Sequence, residues 1–166
     1  TAKGLDPILP DDRVQRLSIQ YSHPPWLVAR WLKRFGKKTE SILRAANLAM
    51  PVTAHRLGQA TPFDIEGDVT KRKDWSELIV QDATAMAVAP FLDAKPGERI
   101  ADLCASPGGK ACHLADRVGK KGLVVAMDVG KMTPIRENLE RLGLTSARLV
   151  IGDGIRSPLR EGFDAV

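Results

Sequence analysis

One stretch of the chain, from Ile100 to Asp128, most constrains its fold. An apolar run leads into a turn that contains two glycines, a helical segment follows, and a second apolar run ends on an acid. That order predicts a strand, a helix and a parallel strand, with the turn and the acid at the carboxyl ends of the strands. The sequence therefore predicts an α/β fold with a ligand site at that edge of the sheet.

The turn does not meet the requirements of a mononucleotide-binding loop. Such a loop needs a glycine, four residues, Gly-Lys, and then Ser or Thr. Gly109 and Lys110 fit the end of that pattern, but Cys104 stands where the first glycine belongs. Ala111 stands where a hydroxyl would hold magnesium. These two departures disfavour binding and hydrolysis of ATP or GTP.

S-adenosylmethionine suits the turn better than a dinucleotide does. A dinucleotide site needs Gly-x-Gly-x-x-Gly, whereas only the adjacent Gly108 and Gly109 follow Pro107. S-adenosylmethionine carries no phosphate and needs a bare backbone turn and a carboxylate for its ribose hydroxyls. Asp128 lies 19 residues beyond Gly109 at the end of the next predicted strand, which is the usual reach of a ribose-binding acid. The alternative is that Asp128 merely ends a strand.

The residues of the turn carry a family resemblance. Residues 102–110 read Asp-Leu-Cys-Ala-Ser-Pro-Gly-Gly-Lys and resemble the D-x-C-A-A-P-G-G-K signature of the Sun family of RNA cytosine-5 methyltransferases. Weaker likenesses to the family lie in three flanking segments, at residues 21–28, 80–82 and 136–143. The likeness covers roughly residues 14–50 and 74–166.

The resemblance implies a Rossmann-like, S-adenosylmethionine-dependent methyltransferase domain with an incomplete parallel sheet, preceded by a small, mainly helical, basic module. In the family, the turn wraps the methionine part of the cofactor, the residue that matches Asp128 holds the ribose hydroxyls, and the one that matches Asp153 meets the adenine amino group. The implied cofactor-binding residues are Cys104, Ala105, Ser106, Pro107, Gly108, Gly109, Lys110, Asp128 and Asp153. A plain surface lysine at Lys110 and a turn acid at Asp153 remain alternatives.

The resemblance also implies a reaction. In the family, a cysteine thiolate adds to carbon 6 of cytosine and makes carbon 5 nucleophilic toward the methyl group. The family carries its cysteines in D-A-P-C and T-C motifs, which we expect beyond Val166, so the chain is expected to be a fragment that supplies the cofactor-binding part. No catalytic residue is assigned, because Cys104 belongs to the cofactor turn and Cys112 stands where the family usually has threonine.

The expected function is methylation of cytosine carbon 5 in RNA, with ribosomal RNA as the expected class. One alternative is a catalytically inactive RNA-binding or ribosome-assembly factor that keeps the methyltransferase fold. Ser106, Ala111 and Cys112 differ from the usual residues of the family and keep this alternative open. A methyltransferase that acts on another substrate is a further, weaker alternative.

The distribution of charge predicts two parts. The net charge is +5, yet residues 1–75 hold 13 Lys and Arg against 8 Asp and Glu, while residues 76–166 hold 12 of each. We expect an RNA-facing helical module and linker over residues 1–74 and the N-terminal half of the methyltransferase domain over residues 75–166. The linker over residues 52–75, with one strand at residues 52–57, is shorter than the corresponding part of the family.

An amphipathic helix is predicted to start near Ser22, which can cap it, with Pro24 and Pro25 in its first turn. Five residues form the predicted apolar stripe of this helix, namely Leu27, Val28, Trp31, Leu32 and Phe35. Trp31 and the neighbouring Trp26 are both expected to pack, although Trp26 is also a candidate for stacking on bases. The opposite side carries the predicted RNA-contacting residues Arg30, Lys33 and Arg34. A solvated basic face is the alternative for these three.

The remaining predictions concern the secondary structure and the cellular setting. The first ten residues are expected to be a loose lead-in. Helices are expected over 39–47, 82–92, 110–118 and 131–142, and strands over 78–80, 99–104, 123–127, 147–151 and from 163 onward. Both cysteines are expected to be buried, the three scattered histidines show no metal-binding spacing, and the lack of a signal peptide or long apolar run predicts a cytoplasmic protein without a membrane partner.

Overall fold

The computed structural model describes residues 9–130 and 132–166. These residues form two compact units, one that ends at Met50 and one that starts at Pro51. The loose lead-in predicted for the first ten residues falls, up to residue 8, outside the described residues. In the described part of the chain, no helix has both the length and the apolar composition to cross a membrane.

Within residues 9–50, the first unit contains three α-helices, α1 (Arg13–Tyr21), α2 (Pro25–Phe35) and α3 (Thr39–Ala46). A single 3-10 turn joins α2 to α3. Its core is small, because each short helix contributes only one apolar stripe. The buried residues that form it are Leu17, Tyr21, Val28 and Leu43.

Helix α1 was not predicted, and its presence corrects the role expected for Ser22. The N-cap of α1 is Asp12, whose carboxylate accepts from the backbone N–H of Gln15 at 2.8 Å. Ser22 closes α1 in a left-handed conformation, with φ of 54°. Pro24, not Ser22, is therefore the N-cap of α2, and Pro25 is its first residue because a missing N–H costs nothing there.

The second unit begins with a three-stranded antiparallel sheet. Its strands are β1 (Val52–Arg56), β2 (Phe63–Ile65) and β3 (Leu78–Val80), in the order β2-β1-β3. The strand expected at residues 52–57 is confirmed, but the linker expected around it is wrong. Because β1 pairs with β3, residues 51–74 belong to the same compact unit as the rest of the chain.

The structure therefore divides between Met50 and Pro51, whereas the sequence predicted a boundary between residues 74 and 75. The charge follows the observed division. Residues 1–50 hold 9 Lys and Arg against 4 Asp and Glu, and residues 51–166 hold 16 of each. The whole excess of positive charge lies in the first unit.

A predicted helix over residues 82–92 is two short helices, α4 (Ala83–Met86) and α5 (Val88–Phe91). Asp82 caps the first as expected, because its carboxylate accepts from the backbone N–H of Thr84 at 2.8 Å. Pro90 accounts for the break, since it has no N–H to donate to the carbonyl four residues earlier.

A parallel sheet completes the second unit. Its order is β4-β5-β6, with a helix in each connection. The elements are β4 (Arg99–Asp102), α6 (Gly109–Val118), β5 (Leu123–Asp128), α7 (Thr133–Arg141) and β6 (Ala147–Ile151). Of the fourth strand expected from Phe163, the structure has one parallel bridge, between Ala165 and Ile100 of β4.

Helices α6 and α7 cover this sheet with apolar side chains. Leu114, Ala115 and Val118 of α6 are buried, as the sequence predicted. They join Val124 and Ala126 of β5 in the largest core of the described residues. Packing in this core fixes the positions of β4, β5 and β6 relative to α6 and α7. It therefore also fixes where the turn after β4 and the acids at the ends of β5 and β6 lie.

Candidate functional site

The candidate site lies at the carboxyl ends of the parallel strands. In the register of the sheet, Asp102 of β4 pairs with Ala126, and Asp128 pairs with Ile151 of β6. Because all three strands run in the same direction, their last residues reach the same edge of the sheet. Three features are thus neighbours: the glycine turn after β4 (residues 105–110), the acid that ends β5, and the Gly-Asp-Gly loop after β6 (residues 152–154).

The glycine turn is held against helix α7 and the end of β5. Gly108 has a φ of +113°, a conformation that residues with a side chain rarely adopt. A Cβ at this position would lie 3.1 Å from the Cα of Ile135 in α7. On the other side, the backbone N–H of Ala105 donates to the carbonyl of Met127 at 2.9 Å. The turn thus needs glycine for its conformation and for the close approach of α7.

Asp128 connects β5 to the turn. One carboxylate oxygen accepts from the backbone N–H of Ser106 at 3.0 Å, and the other accepts from the backbone N–H of Gly130 at 3.0 Å. These bonds, first the one from Ser106 and then the one from Gly130, lower the pKa of the Asp128 carboxyl below its usual value. Asp128 is therefore a carboxylate at neutral pH.

Asp102 has a different environment although it lies in the same turn. One of its oxygens accepts from the backbone N–H of Cys104 at 3.2 Å. The other oxygen is buried and has no hydrogen-bond partner among the described residues. Burial raises the pKa of this carboxyl above its usual value. The contact with the backbone N–H of Cys104 holds the start of the turn to the end of β4.

A cavity of about 450 Å³ lies beside these strand ends. It brings together two acids that are 25 positions apart in the sequence, Asp128 and Asp153. Asp153 also accepts from the backbone N–H of Ile155 at 2.9 Å, which is the turn role considered for it from the sequence. The remaining lining residues are Leu103, Cys104, Val129, Gly154 and Ile155.

Lys110 does not line the cavity that contains Asp128 and Asp153. It lines a second cavity of about 280 Å³, together with Asp102 and apolar residues that include Leu92 and Leu114. The two cavities share Leu103 and Cys104, so they adjoin at the start of the turn.

The two cysteines differ in exposure. Cys112 is buried on α6, as predicted, whereas Cys104 is exposed, so the burial expected for Cys104 is wrong. Cys104 lies two residues beyond the end of β4 and in the wall of both cavities. Its position outside the strand, rather than its residue type, determines its exposure.

The predicted RNA-contacting residues form a separate group in the first unit. Arg30, Lys33 and Arg34 are all exposed on α2. The two tryptophans of this helix differ, since Trp31 packs against the core and Trp26 is 65% exposed. The packing expected for both tryptophans is therefore correct for Trp31 and wrong for Trp26.

Comparison with known proteins identifies the family of the region that contains the site. Residues 89–166 match the family described as 16S rRNA methyltransferase RsmB/F. This part of the chain belongs to the RsmB/F family. The chain is also 31% identical to the probable ribosomal RNA small subunit methyltransferase B of Bacillus subtilis, over 81% of the chain and 37% of that protein. The RsmB/F segment contains the glycine turn, Asp128 and Asp153.

Two solved structures resemble this chain. The crystal structure of PH0851 is 24% identical and superimposes with a TM-score of 0.76 over 93% of this chain and 42% of that one, which confirms the predicted Rossmann-like α/β fold. The crystal structure of NSun6 from Pyrococcus horikoshii with SFG is 31% identical, with a TM-score of 0.50 over 52% of this chain and 24% of that one. The chain spans 30% to 41% of the length of four curated relatives that it matches, including the one from Bacillus subtilis.

Two groups of residues in the second unit were not anticipated. His55 of β1 and His113 of α6 are both buried, and their rings lie 4.2 Å apart between centroids. Nothing in the sequence indicated this contact, because the two histidines are far apart in the chain and come from different elements. Arg141 of α7 bonds to the carbonyl of Leu78 and to the side chain of Asn138. The segment over residues 136–143, which was singled out for its likeness to the Sun family, contains both Asn138 and Arg141 but gave no indication of these contacts.

Proposed function

We propose that the protein of which this chain is a part methylates carbon 5 of cytosine in RNA, with ribosomal RNA as the substrate class, and that this chain supplies the site for S-adenosylmethionine. The observation that carries the proposal is the junction of the glycine turn with Asp128, beside a cavity that Asp153 also lines. Membership of the RsmB/F family and the names of the curated relatives support the substrate class.

The size and lining of the larger cavity support a nucleoside ligand. A volume of about 450 Å³ lies within the range of small-molecule sites. Each carboxylate oxygen of Asp128 accepts one backbone N–H, and each has a second lone pair left. A carboxylate in this state can accept two ribose hydroxyls without releasing the turn. Val129 and Ile155, which are 70% and 92% exposed, offer apolar surface to the flat face of a base.

The start of α6 supports a carboxylate-bearing ligand. Gly108 is its N-cap and has no side chain to bond the first N–H groups of the helix. Those free N–H groups and the positive end of the helix dipole favour an anion. Lys110, in the adjoining cavity, offers a cation close to the same turn. The amino-acid carboxylate of a ligand that extends from the larger cavity past Cys104 therefore lies near positive charge, from the start of α6 and from Lys110.

The proposed cofactor, when bound, supplies an electrophilic methyl group on its sulfonium. The residues of this chain bind and orient it: Asp128 fixes the ribose, Asp153 lies within reach of the base, and the turn admits the amino-acid portion between backbone groups. The cysteine chemistry described for the Sun family is assigned to no residue of this chain.

The first unit supports the RNA part of the proposal. Residues 1–50 carry the whole net charge of +5, and Arg30, Lys33 and Arg34 present three cations on one exposed helix face. Phosphate contacts of this kind give RNA affinity without sequence preference. The exposed Trp26 of the same helix offers a surface for base stacking.

Two measurements test the proposal. Isothermal titration calorimetry of this chain with S-adenosylmethionine and with S-adenosylhomocysteine is expected to show one site for each. The complete protein is then incubated with ribosomal RNA and a methyl-labelled cofactor, and 5-methylcytosine is expected in the digested RNA. Cofactor binding without methyl transfer would favour the inactive RNA-binding or assembly factor, and methyl groups on another atom would exclude cytosine carbon 5.

A further inference from the structure

Two residues of helix α7 lie in a chain of contacts that ends at the glycine turn. Arg141 donates from one guanidinium nitrogen to the carbonyls of Trp75 and Leu78, the latter at 3.0 Å. Its other terminal nitrogen donates to the side-chain oxygen of Asn138 at 2.9 Å. The side-chain nitrogen of Asn138 donates in turn to the carbonyl of Pro107 at 3.4 Å. The contacts run without a break from the segment before β3 to the turn.

Arg141 is fixed as well as bonded. Its guanidinium carbon lies 3.7 Å from the centre of the Trp75 ring, the distance of a stacked pair. The planar group thus presents its N–H donors in set directions, two toward backbone carbonyls and one toward Asn138. A lysine at this position would keep the positive charge but lose the planar set of N–H donors that reaches the carbonyls and Asn138 together.

The two elements that Arg141 joins are the two that enclose the glycines. A Cβ on Gly108 would meet Ile135 of α7 at 3.1 Å. A Cβ on Gly109 would lie 3.4 Å from the side chain of Gln81, directly after β3. The separation of α7 and β3 therefore sets the width of the space in which Gly108 and Gly109 lie. Ile135, Asn138 and Arg141 are spaced three apart, on the side of α7 that faces the turn and β3.

We propose that Arg141 and Asn138 are positioning residues that hold the turn over residues 105–110 in its ligand-binding geometry, with Arg141 fixing α7 to β3 and Asn138 passing that restraint to Pro107. The effect of these residues on cofactor affinity rests on the function proposed above. Their effect on the turn itself does not depend on it.

Asn138→Asp separates this role from a general contribution to stability. The aspartate still accepts from Arg141, but it has no N–H to donate to Pro107. Arg141→Lys removes the planar set of N–H donors and keeps the positive charge. Glu137→Ala, an exposed change on the same helix, is the matched control. Backbone amide hydrogen exchange is measured on each variant of this chain, and calorimetry with S-adenosylhomocysteine follows.

In both test variants the amides of Ser106 and of residues 108–110 are expected to exchange about fivefold faster, the effect of losing one hydrogen bond, while those of β5 keep their rates. The dissociation constant for S-adenosylhomocysteine is expected to rise by a similar factor, and Glu137→Ala is expected to change neither. Unaltered exchange in the turn, or equal acceleration throughout the core, would overturn the positioning role. Faster exchange confined to the turn, in a chain that binds no S-adenosylhomocysteine, would keep the positioning role and refute the proposed cofactor.

Discussion

Asp128 accepts a hydrogen bond from the backbone N–H of Ser106 at 3.0 Å, and this contact ties the end of β5 to the glycine turn after β4. The two residues are 22 positions apart in the sequence. The bond orients a charged carboxylate beside the cavity and leaves part of its accepting capacity free. The turn and the acid therefore act as one structural feature.

Asp128→Ala is expected to abolish detectable binding of S-adenosylmethionine in calorimetry, because it removes the acceptor of the ribose hydroxyls and the anchor of Ser106. Asp128→Asn keeps one acceptor oxygen, and we expect an affinity loss of about 10-fold to 100-fold for one or two weakened bonds to a charged group. Glu161→Ala, which removes an equal charge from an exposed position, is the control. Undiminished affinity in Asp128→Ala would exclude the ribose role.

Gly108→Ala and Gly109→Ala are expected to differ in stability although the glycines are adjacent. At Gly108, a φ of +113° and a backbone atom 3.1 Å from the new Cβ predict a loss of about 1–3 kcal/mol in the free energy of unfolding. At Gly109, the nearest atoms lie 3.4 Å or more away and φ is not in the left-handed region, so the helix-forming preference of alanine favours an unchanged or slightly higher value. Urea unfolding of both variants measures the difference, and equal losses would contradict it.

The stability of the second unit is expected to fall between about pH 6.5 and pH 4. Burial, first, and then the neighbouring His55 and Arg117 lower the pKa of His113 to about 4. The folded state thus binds fewer protons than the unfolded state in this window, and acid shifts the equilibrium toward unfolding. The full effect is about 3 kcal/mol in the free energy of unfolding, and it is complete below the folded pKa.

The measurement is urea unfolding of the chain at several pH values from 7.5 to 4. His113→Gln removes the titrating ring and is expected to flatten the pH dependence in this window, whatever its effect on the stability at pH 7.5. The carboxylates with lowered pKa, such as Asp74 and Asp128, lose their contribution only at lower pH. An equally steep decline in His113→Gln would show that another group is responsible.

Neutralising the basic face of α2 is expected to weaken RNA binding in a salt-dependent way. In a variant with Arg30, Lys33 and Arg34 changed to Gln, the slope of log affinity against log salt concentration should become shallower by about 2, the value for three phosphate contacts on single-stranded RNA. Fluorescence anisotropy at several salt concentrations measures it. The control changes three exposed cations of the second unit, Lys120, Lys121 and Arg160, to Gln. Equal effects of the two variants on affinity and salt dependence would show that the basic face of α2 is only a solvated surface.

The two cysteines are expected to react at very different rates. Burial raises the pKa of the Cys112 thiol to about 12, so almost none of it is the reactive thiolate at pH 8. Cys104 is exposed beside the cavity. Iodoacetamide followed by mass spectrometry should therefore modify Cys104 first, and Cys112 only in denaturant. S-adenosylhomocysteine should slow the reaction at Cys104, and rapid labelling of Cys112 in the folded chain would contradict its burial.

Local patterns in the sequence predicted most of the parallel-sheet region. Apolar runs marked β4, β5 and β6, and Gly119 ends α6 as a glycine at a helix end often does. The same patterns missed α1, in which Leu17 and Tyr21 are the buried apolar residues while Ile19 is exposed. They also missed the three-residue strand β2, which is too short to show a period. Short elements of this kind depend on partners that are distant in the chain.

The sequence by itself determined the order of most strands and helices, the position of the glycine turn, the acid that ends β5 and the acid after β6. Each of these features depends on residues within about one helix length of one another. Only the tertiary structure decided that β1 pairs with β3, that Lys110 lines a different cavity from Asp128 and Asp153, and that Arg141 joins α7 to β3. The physical reason is that pairing, burial and side-chain direction depend on packing between distant segments, and local residue patterns do not encode that packing.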